Sequence, residues 1–234
     1  MTQRPHRLRD AWSGKLTAIG ISIILGVVVA VATVAFSVSA VVVNFPDSGL
    51  EAAIRDAVRK QTGDIHDAYL VGLRILAASD RNISNLEGIQ YCTDLTGLWL
   101  DSNKIADISA LSGLTNLTQL DLYKNQIVDI SAVSSLTNLA ELVLTNNQIV
   151  NISALSGLTN LSQADGTTVL SGLTNLRKLT LDGNQIVNIS ALSGLTNLTW
   201  LSLGGNQIAD IAPLSGLTNL TTLTLWETNI GDIS

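Results

Sequence analysis

A single cysteine, Cys92, stands among 234 residues, which excludes a disulfide framework, a zinc ribbon and a dithiol redox centre. Two histidines, His6 and His66, leave little material for acid–base chemistry. Aromatic residues make up 4% of the chain and charged residues 14%, the latter against about 25% in an ordinary soluble domain. There is no P-loop, no G-x-S-x-G elbow and no H-E-x-x-H pair. These absences weigh against an enzyme and give no cofactor or metal set. What the chain has in quantity is apolar: 46% of residues, with a mean hydropathy of +0.35. That content excludes a disordered chain, which cannot bury enough apolar surface to offset its entropy. The length admits one or two domains with a sizeable core.

Charge is divided unevenly. Residues 1–40 carry Arg4, Arg7, Arg9 and Lys15 against Asp10, while the remainder carries nine basic and eighteen acidic residues. An acidic body disfavours a phosphate backbone, so no nucleic-acid partner is expected. Residues 16–43 form a charge-free run of 28 residues. As a helix it would reach about 42 Å, more than the roughly 30 Å hydrocarbon core of a bilayer. With residues 1–15 as a basic cytoplasmic flank, the run reads as an N-in transmembrane anchor or a signal sequence. Val38-Ser39-Ala40 has the small-residue pattern of a cleavage site. The run exceeds the ~7–15 apolar residues of an export signal, which favours an uncleaved anchor. On either reading the rest of the chain is extracytoplasmic, anchored by a single pass or secreted after cleavage near Ala40.

The body is repetitive. Asn103, Asn125 and Asn147 are spaced by 22 residues, as are Asn184 and Asn206; Asn147 and Asn184 lie 37 apart, so the copy at 155–169 is seven residues short. Within one unit Leu120 and Leu122 alternate with Gln119, Asp121 and Tyr123, the period of a strand with one buried face. Leu114, Leu117, Ile127 and Ile130 point into the same interior. Asp107, Asp129, Asn151, Asn188, Asp210 and Asp232 each precede an isoleucine that opens the next turn, a placement suited to an Asx cap on a short 3₁₀ segment. One unit cannot close a core, so the copies must stack with their strands parallel. Seven to eight strands at about 4.8 Å each give a rod of roughly 35 Å. In the short copy Ala164 and Gly166 replace the strand leucines, so residues 162–169 are expected to pair poorly or loop out.

The frame L-x-x-L-x-x-L-x-x-L-x-L-x-x-N-x-I-x-D/N-I, which runs over about residues 67–234, resembles the bacterial leucine-rich repeat family of the 22-residue, internalin-like type. The resemblance implies an α/β fold: a curved solenoid with a parallel sheet on its concave face and turns or short 3₁₀ segments on its convex face. It implies about seven full units plus the shortened one, and an Asn ladder (Asn103, Asn125, Asn147, Asn184, Asn206) bonding the backbone of neighbouring turns. Arg81 and Thr228 stand where the first and last units depart from that ladder.

Residues 44–66 fit an N-terminal cap. Ser48-Gly-Leu-Glu51 has the spacing of a capping box, and Leu50, Ala53, Ile54, Ala57 and Val58 follow the stripe of an amphipathic helix. The other end shows no such cap, because the chain stops inside a copy at Ser234. End-to-end self-association there, or a chain that is part of a larger surface protein, would each account for it.

On a curved repeat the residues flanking the strand leucines face outward on the concave side. They include Trp99, Asp101, Asp121, Tyr123, Glu141, Lys178, Asp182, Trp200, Trp226 and Glu227. Three of the four tryptophans fall in this set, and exposed Trp and Tyr on a rigid sheet are common anchors of an interface. The expected function is a non-enzymatic binding module for a protein or glycan; the alternative is a structural spacer or a remnant of a larger protein. Cys92 occupies a repeat position that is leucine elsewhere, so a buried thiol is expected. One acid per turn cannot supply the six or more oxygens of a calcium site. The Asn-x-Ser/Thr triplets, such as Asn116 and Asn197, arise from the repeat frame itself.

Overall fold

The computed structural model describes residues 40–156 and 173–231 with their side chains, and four further short strands by their backbone. Two compact units result, residues 1–39 and 40–234. In the first, β1 (Ile23–Ile24) pairs antiparallel with β2 (Val27–Val28). The helix expected over 16–43 therefore does not hold at these four residues, whose β-branched side chains suit a strand. The rest of that run up to residue 39 lies outside the described residues. Among the described residues no helix is long and apolar enough to cross a membrane. Val43, the last residue of the run, is buried in the second unit and donates its N–H to the Ile65 carbonyl at 2.7 Å.

The second unit opens with a cap. Helix α1 (Ser48–Val58) starts one residue earlier than a Ser48 cap would have it: Asp47 is the N-cap, and its carboxylate accepts from the N–H groups of Gly49 and Leu50. Glu51 pairs with Arg55 one turn on, at 2.7 Å, instead of closing a capping box. Leu50, Ala53 and Ile54 are buried, whereas Ala57 is exposed and Val58 half-buried. Gly49 lies so close to the first repeat that a Cβ there would stand 2.2 Å from the Arg81 carbonyl oxygen. The Arg81 guanidinium in turn pairs with Asp56 of α1 at 2.9 Å. Short helix α2 (Asp67–Leu70) completes the cap.

Seven strands form one parallel sheet in strict register: β3 (Ile75–Ala77), β4 (Gly97–Trp99), β5 (Gln119–Asp121), β6 (Glu141–Val143), β9 (Lys178–Thr180), β10 (Trp200–Ser202) and β11 (Thr222–Thr224). Leu98, Leu120, Leu142, Leu179 and Leu201 sit opposite one another and are buried, each worth about 1.5–3 kcal/mol of transfer free energy. β6 pairs directly with β9, so the short copy adds no strand. Instead β7 (Thr159–Ser162) and β8 (Thr168–Ser171) pair antiparallel with each other. Ala164 and Gly166 lie outside the described residues. The cause is in the sequence: residues 155–161 and 170–176 both spell Leu-Ser-Gly-Leu-Thr-Asn-Leu. Leu155 fills the core position of the first copy, and Leu173 and Leu176 fill those of the second, leaving the fifteen extra residues as an excursion.

Three ladders of side-chain hydrogen bonds tie turn to turn. Asn125 donates to the carbonyls of Leu100 and Leu122 and accepts from the Ile105 N–H, all at 3.0–3.2 Å; Asn103, Asn147, Asn184 and Asn206 repeat the arrangement. Asn184 reaches back to Leu144 and Ile149, so this ladder passes over the excursion unbroken. Thr228, at the same position of the unit after Asn206, donates its hydroxyl to the Leu225 carbonyl at 2.9 Å. Along one exposed edge Asn116, Asn138, Asn175, Asn197 and Asn219 each donate to a threonine carbonyl one turn earlier, at 2.7–3.0 Å. The hydroxyls of Thr96, Thr118, Thr199 and Thr221 donate to the carbonyls of Arg74, Thr96, Arg177 and Thr199, again one turn earlier. The residue before each ladder position is left-handed throughout, from Asp80 (φ 54°) and Ser102 (φ 57°) to Gly183 and Gly205 (φ 62° and 61°). Only the two glycines adopt that geometry without the roughly 1–2 kcal/mol that a Cβ adds.

Candidate functional site

The open face of the sheet is built from residues that alternate with the buried leucines. Register sets them in rows: Gly97, Gln119, Glu141, Lys178, Trp200 and Thr222 in one, then Trp99, Asp121, Val143, Thr180, Ser202 and Thr224 in the next. Neighbours within a row are about 4.8 Å apart, the spacing of strands. Every sequence-predicted binding residue lies in or just beyond β4, β5, β6, β9, β10 and β11.

The face has two halves. Toward β4–β6 it is acidic: Asp101, Asp121 and Glu141 stand in successive strands, with Asp101 accepting from the Ser79 hydroxyl. Lys178 pairs with Glu141 from the neighbouring strand, and Gln119 donates to the same carboxylate at 3.3 Å. Partial burial, reinforced by repulsion from Asp101 and Glu141, pushes the Asp121 carboxyl above its usual value against the opposing Tyr123 N–H and Lys178. Trp99 folds over its own strand, so that a Cβ on Gly97 would meet the indole at 2.7 Å. Between these side chains lies a depression of only about 40 Å³. That is far below the roughly 300 Å³ of a small-molecule site, so the face suits a broad contact.

Toward β9–β11 the face carries fewer acids and two open indoles, Trp200 at 44% and Trp226 at 51% exposure. Trp226 lies across Gly204 and Gly205; a Cβ on Gly204 would fall 2.2 Å from its Nε1. This glycine pair under an indole is a supporting element the repeat frame did not reveal, although two adjacent glycines at the strand end were its only signal. Tyr123 and Glu227 are exposed, and Glu227 occupies a left-handed position at φ 50°. Asp182 differs from the other acids. It is buried, and accepts from the Ser202 hydroxyl, the Gly204 N–H at 2.9 Å and the Thr145 hydroxyl at 3.3 Å, so it braces the floor.

Asp107, Asp129, Asn151, Asn188 and Asp210 each accept the backbone N–H two residues on, at 2.8–2.9 Å, and open the 3₁₀ turns. Asp232 lies outside the described residues. Roomier hollows of about 400–570 Å³ recur along these turns, lined by equivalent frame positions such as Val128 with Val150 and Val187 with Ala209. Their recurrence follows from repeat spacing. Among the described residues no three His, Cys, Asp or Glu side chains are grouped to hold a metal. Cys92 is fully buried, and burial pushes its thiol up to about 12.

The leucine rich repeat family matches the chain over residues 115–160 and 196–234 in one form and 163–208 in another. Among solved structures, internalin C2 of Listeria monocytogenes is similar at 39% identity, over 81% of this chain and 78% of its own, with a TM-score of 0.72. Internalin F of the same species is similar at 32% identity over 81% of this chain and 65% of its own, with a TM-score of 0.50. A leucine-rich repeat protein of Leptospira interrogans is similar at 26% identity over 64% of this chain and 36% of its own, with a TM-score of 0.54. No curated protein sequence matches the chain.

Proposed function

Because the chain belongs to the leucine-rich repeat family in its internalin-like form, we propose that it is a non-enzymatic module that binds a protein partner on the open face of its sheet. The observation that carries this reading is the placing of scarce, exposed aromatics: Trp200 and Trp226 stand open on one face of a chain holding four tryptophans. Large rigid side chains of this kind lose little entropy on binding and dominate interface energetics. The acidic half, Asp101, Asp121 and Glu141, favours a partner segment with basic residues, steered by charge and screened by salt. An extracytoplasmic location, of the kind its internalin-like relatives suggest, goes with this reading.

Full-length protein, solubilised in detergent and used as bait on cell-surface extracts, tests the face. Trp200→Ala with Trp226→Ala is expected to abolish capture, since a hot-spot truncation costs about 2 kcal/mol, or about 30-fold, per residue. The thermal midpoint should move little, because exposed substitutions stay within about 0.5 kcal/mol. Trp200→Ala alone checks that loss of capture does not come from unseating Trp226. Capture that survives the double change places binding elsewhere.

A further inference from the structure

One slot of the stack has two claimants of identical sequence. It runs from Leu155, which ends the 3₁₀ turn Ser153–Leu155, to Arg177, the residue before β9. In the observed arrangement Leu155 is followed in the slot by residues 171–176. Leu173 and Leu176 are buried, Asn175 donates to the Thr137 carbonyl at 3.0 Å, and the Arg177 N–H reaches the Ala140 carbonyl at 2.9 Å. Residues 155–161, however, carry the same seven residues in the same order as 170–176. That heptapeptide also seats in the equivalent slots at 111–117 and 192–198. There Leu114, Leu117, Leu195 and Leu198 are buried, and Asn116 and Asn197 make the edge bonds.

Were residues 155–161 to take the slot, the chain would leave it after Leu161 and return at Arg177, and the excursion would become 162–176. The slot would still read Leu-Ser-Gly-Leu-Thr-Asn-Leu, so the buried leucines and the edge bond to Thr137 are supplied equally well. The two excursions, 156–170 and 162–176, each hold fifteen residues and are permutations of one another. Closure entropy depends on loop length, so it does not separate them. What differs is local. Of the four β7–β8 pairs only Ser162 with Thr168 lies wholly within 162–176, but an isolated two-stranded hairpin is marginal in water and does not fix the choice. The exit differs as well. Residues 156–170 leave the stack directly after a 3₁₀ turn, whereas 162–176 would leave it two residues before Lys178, which pairs with Glu141 on the open face.

We propose that either heptapeptide seats in this slot and that the folded chain exchanges between them, carrying fifteen residues from the turn side of the stack to the rim of the open face. The exchange does not depend on what that face binds. Matched substitutions in the full chain, in detergent, test it. Leu195→Asp strikes a slot with one claimant and should lower the thermal midpoint sharply. Leu173→Asp should lower it far less, because residues 155–161 replace the damaged copy. Leu158→Asp with Leu173→Asp leaves no intact copy and should fall as far as Leu195→Asp. Exchange in the intact slot is read by thiol labelling under native conditions, with Leu173→Cys against Leu195→Cys, both at positions 1% exposed. Cys92 is fully buried and gives both the same background. The thiol at 173 should label at least about tenfold faster, since position 195 opens only by unfolding its own part of the stack. Adding Leu158→Asp should slow it to the rate at 195. Leu173→Asp that melts as low as the double variant overturns the proposal. So does a thiol at 173 that labels no faster than at 195, or an excess rate that Leu158→Asp leaves untouched.

Discussion

The Asp47 carboxylate accepts four backbone N–H groups, Gly49 and Leu50 in α1 and Ser84 and Asn85 in the first repeat, at 2.8–3.1 Å. Burial opposes its charge, but the bonds from Ser84, Leu50, Asn85 and Gly49 outweigh it and hold the carboxyl below its usual 3.8. Its contribution is therefore complete above the unfolded-state value and lost as pH falls through the lower folded-state one. Asp47→Ala is expected to cost about 2 kcal/mol at pH 7, as a lost cap plus unsatisfied donors, read by urea unfolding. The gap to the wild type should narrow below about pH 4. A gap of the same size at pH 3 would contradict the charge's role. The helix itself was legible in the stripe Leu50, Ala53, Ile54. Its cap was misplaced by one residue because Ser48 and Asp47 both satisfy local capping rules. What decides between them is a pair of N–H groups 37 and 38 residues away, which no local spacing records.

At the level of elements, the 22-residue period made the sheet legible: each strand leucine and each ladder Asn recurs at a fixed place. The edge ladder of Asn116, Asn138, Asn175, Asn197 and Asn219 explains why the frame spells Asn-Leu, and why acceptor triplets for glycosylation arise as its by-product. The shortened copy was recognisable as a defect, but not as an excursion from a continuous sheet, because two identical heptapeptides compete for one slot. Deleting residues 156–170 joins Leu155 to Ser171 and restores the 22-residue spacing between Asn147 and Asn184. The β6–β9 bonds already exist, so thermal unfolding of this variant should stay cooperative, with a midpoint equal to or above the wild type's. The gain comes from shortening the chain between paired strands, a closure worth about 1 kcal/mol or less for this change in length. A lower midpoint would mean that the hairpin supports the sheet.

Across the whole second unit, stability depends on nearest neighbours, so it should fall where a neighbour is missing. The leucine of β11, Leu223, is 42% exposed, whereas Leu120 of β5 is 1% exposed. Hydrogen exchange is expected to be slowest in β5 and β6 and fastest in β11. Protection of β11 that rises with protein concentration would identify end-to-end association; equal protection at all dilutions would refute the gradient. The tryptophans of the open face sit toward this end, six strands from the cap. Trp200 and Trp226 thus stand some 25–30 Å along the stack from the cap, at about 4.8 Å per strand.

The Leu-Ser-Gly-Leu-Thr-Asn-Leu segment that begins at residues 111, 155, 170, 192 and 214 has a consequence for inheritance. Each of these five copies offers the same junction. Unequal exchange in the gene between copies one period apart would lengthen or shorten the reach of the molecule by whole units, with no new core to invent. An exchange out of phase leaves a scar such as residues 156–170, which the stack expels and survives.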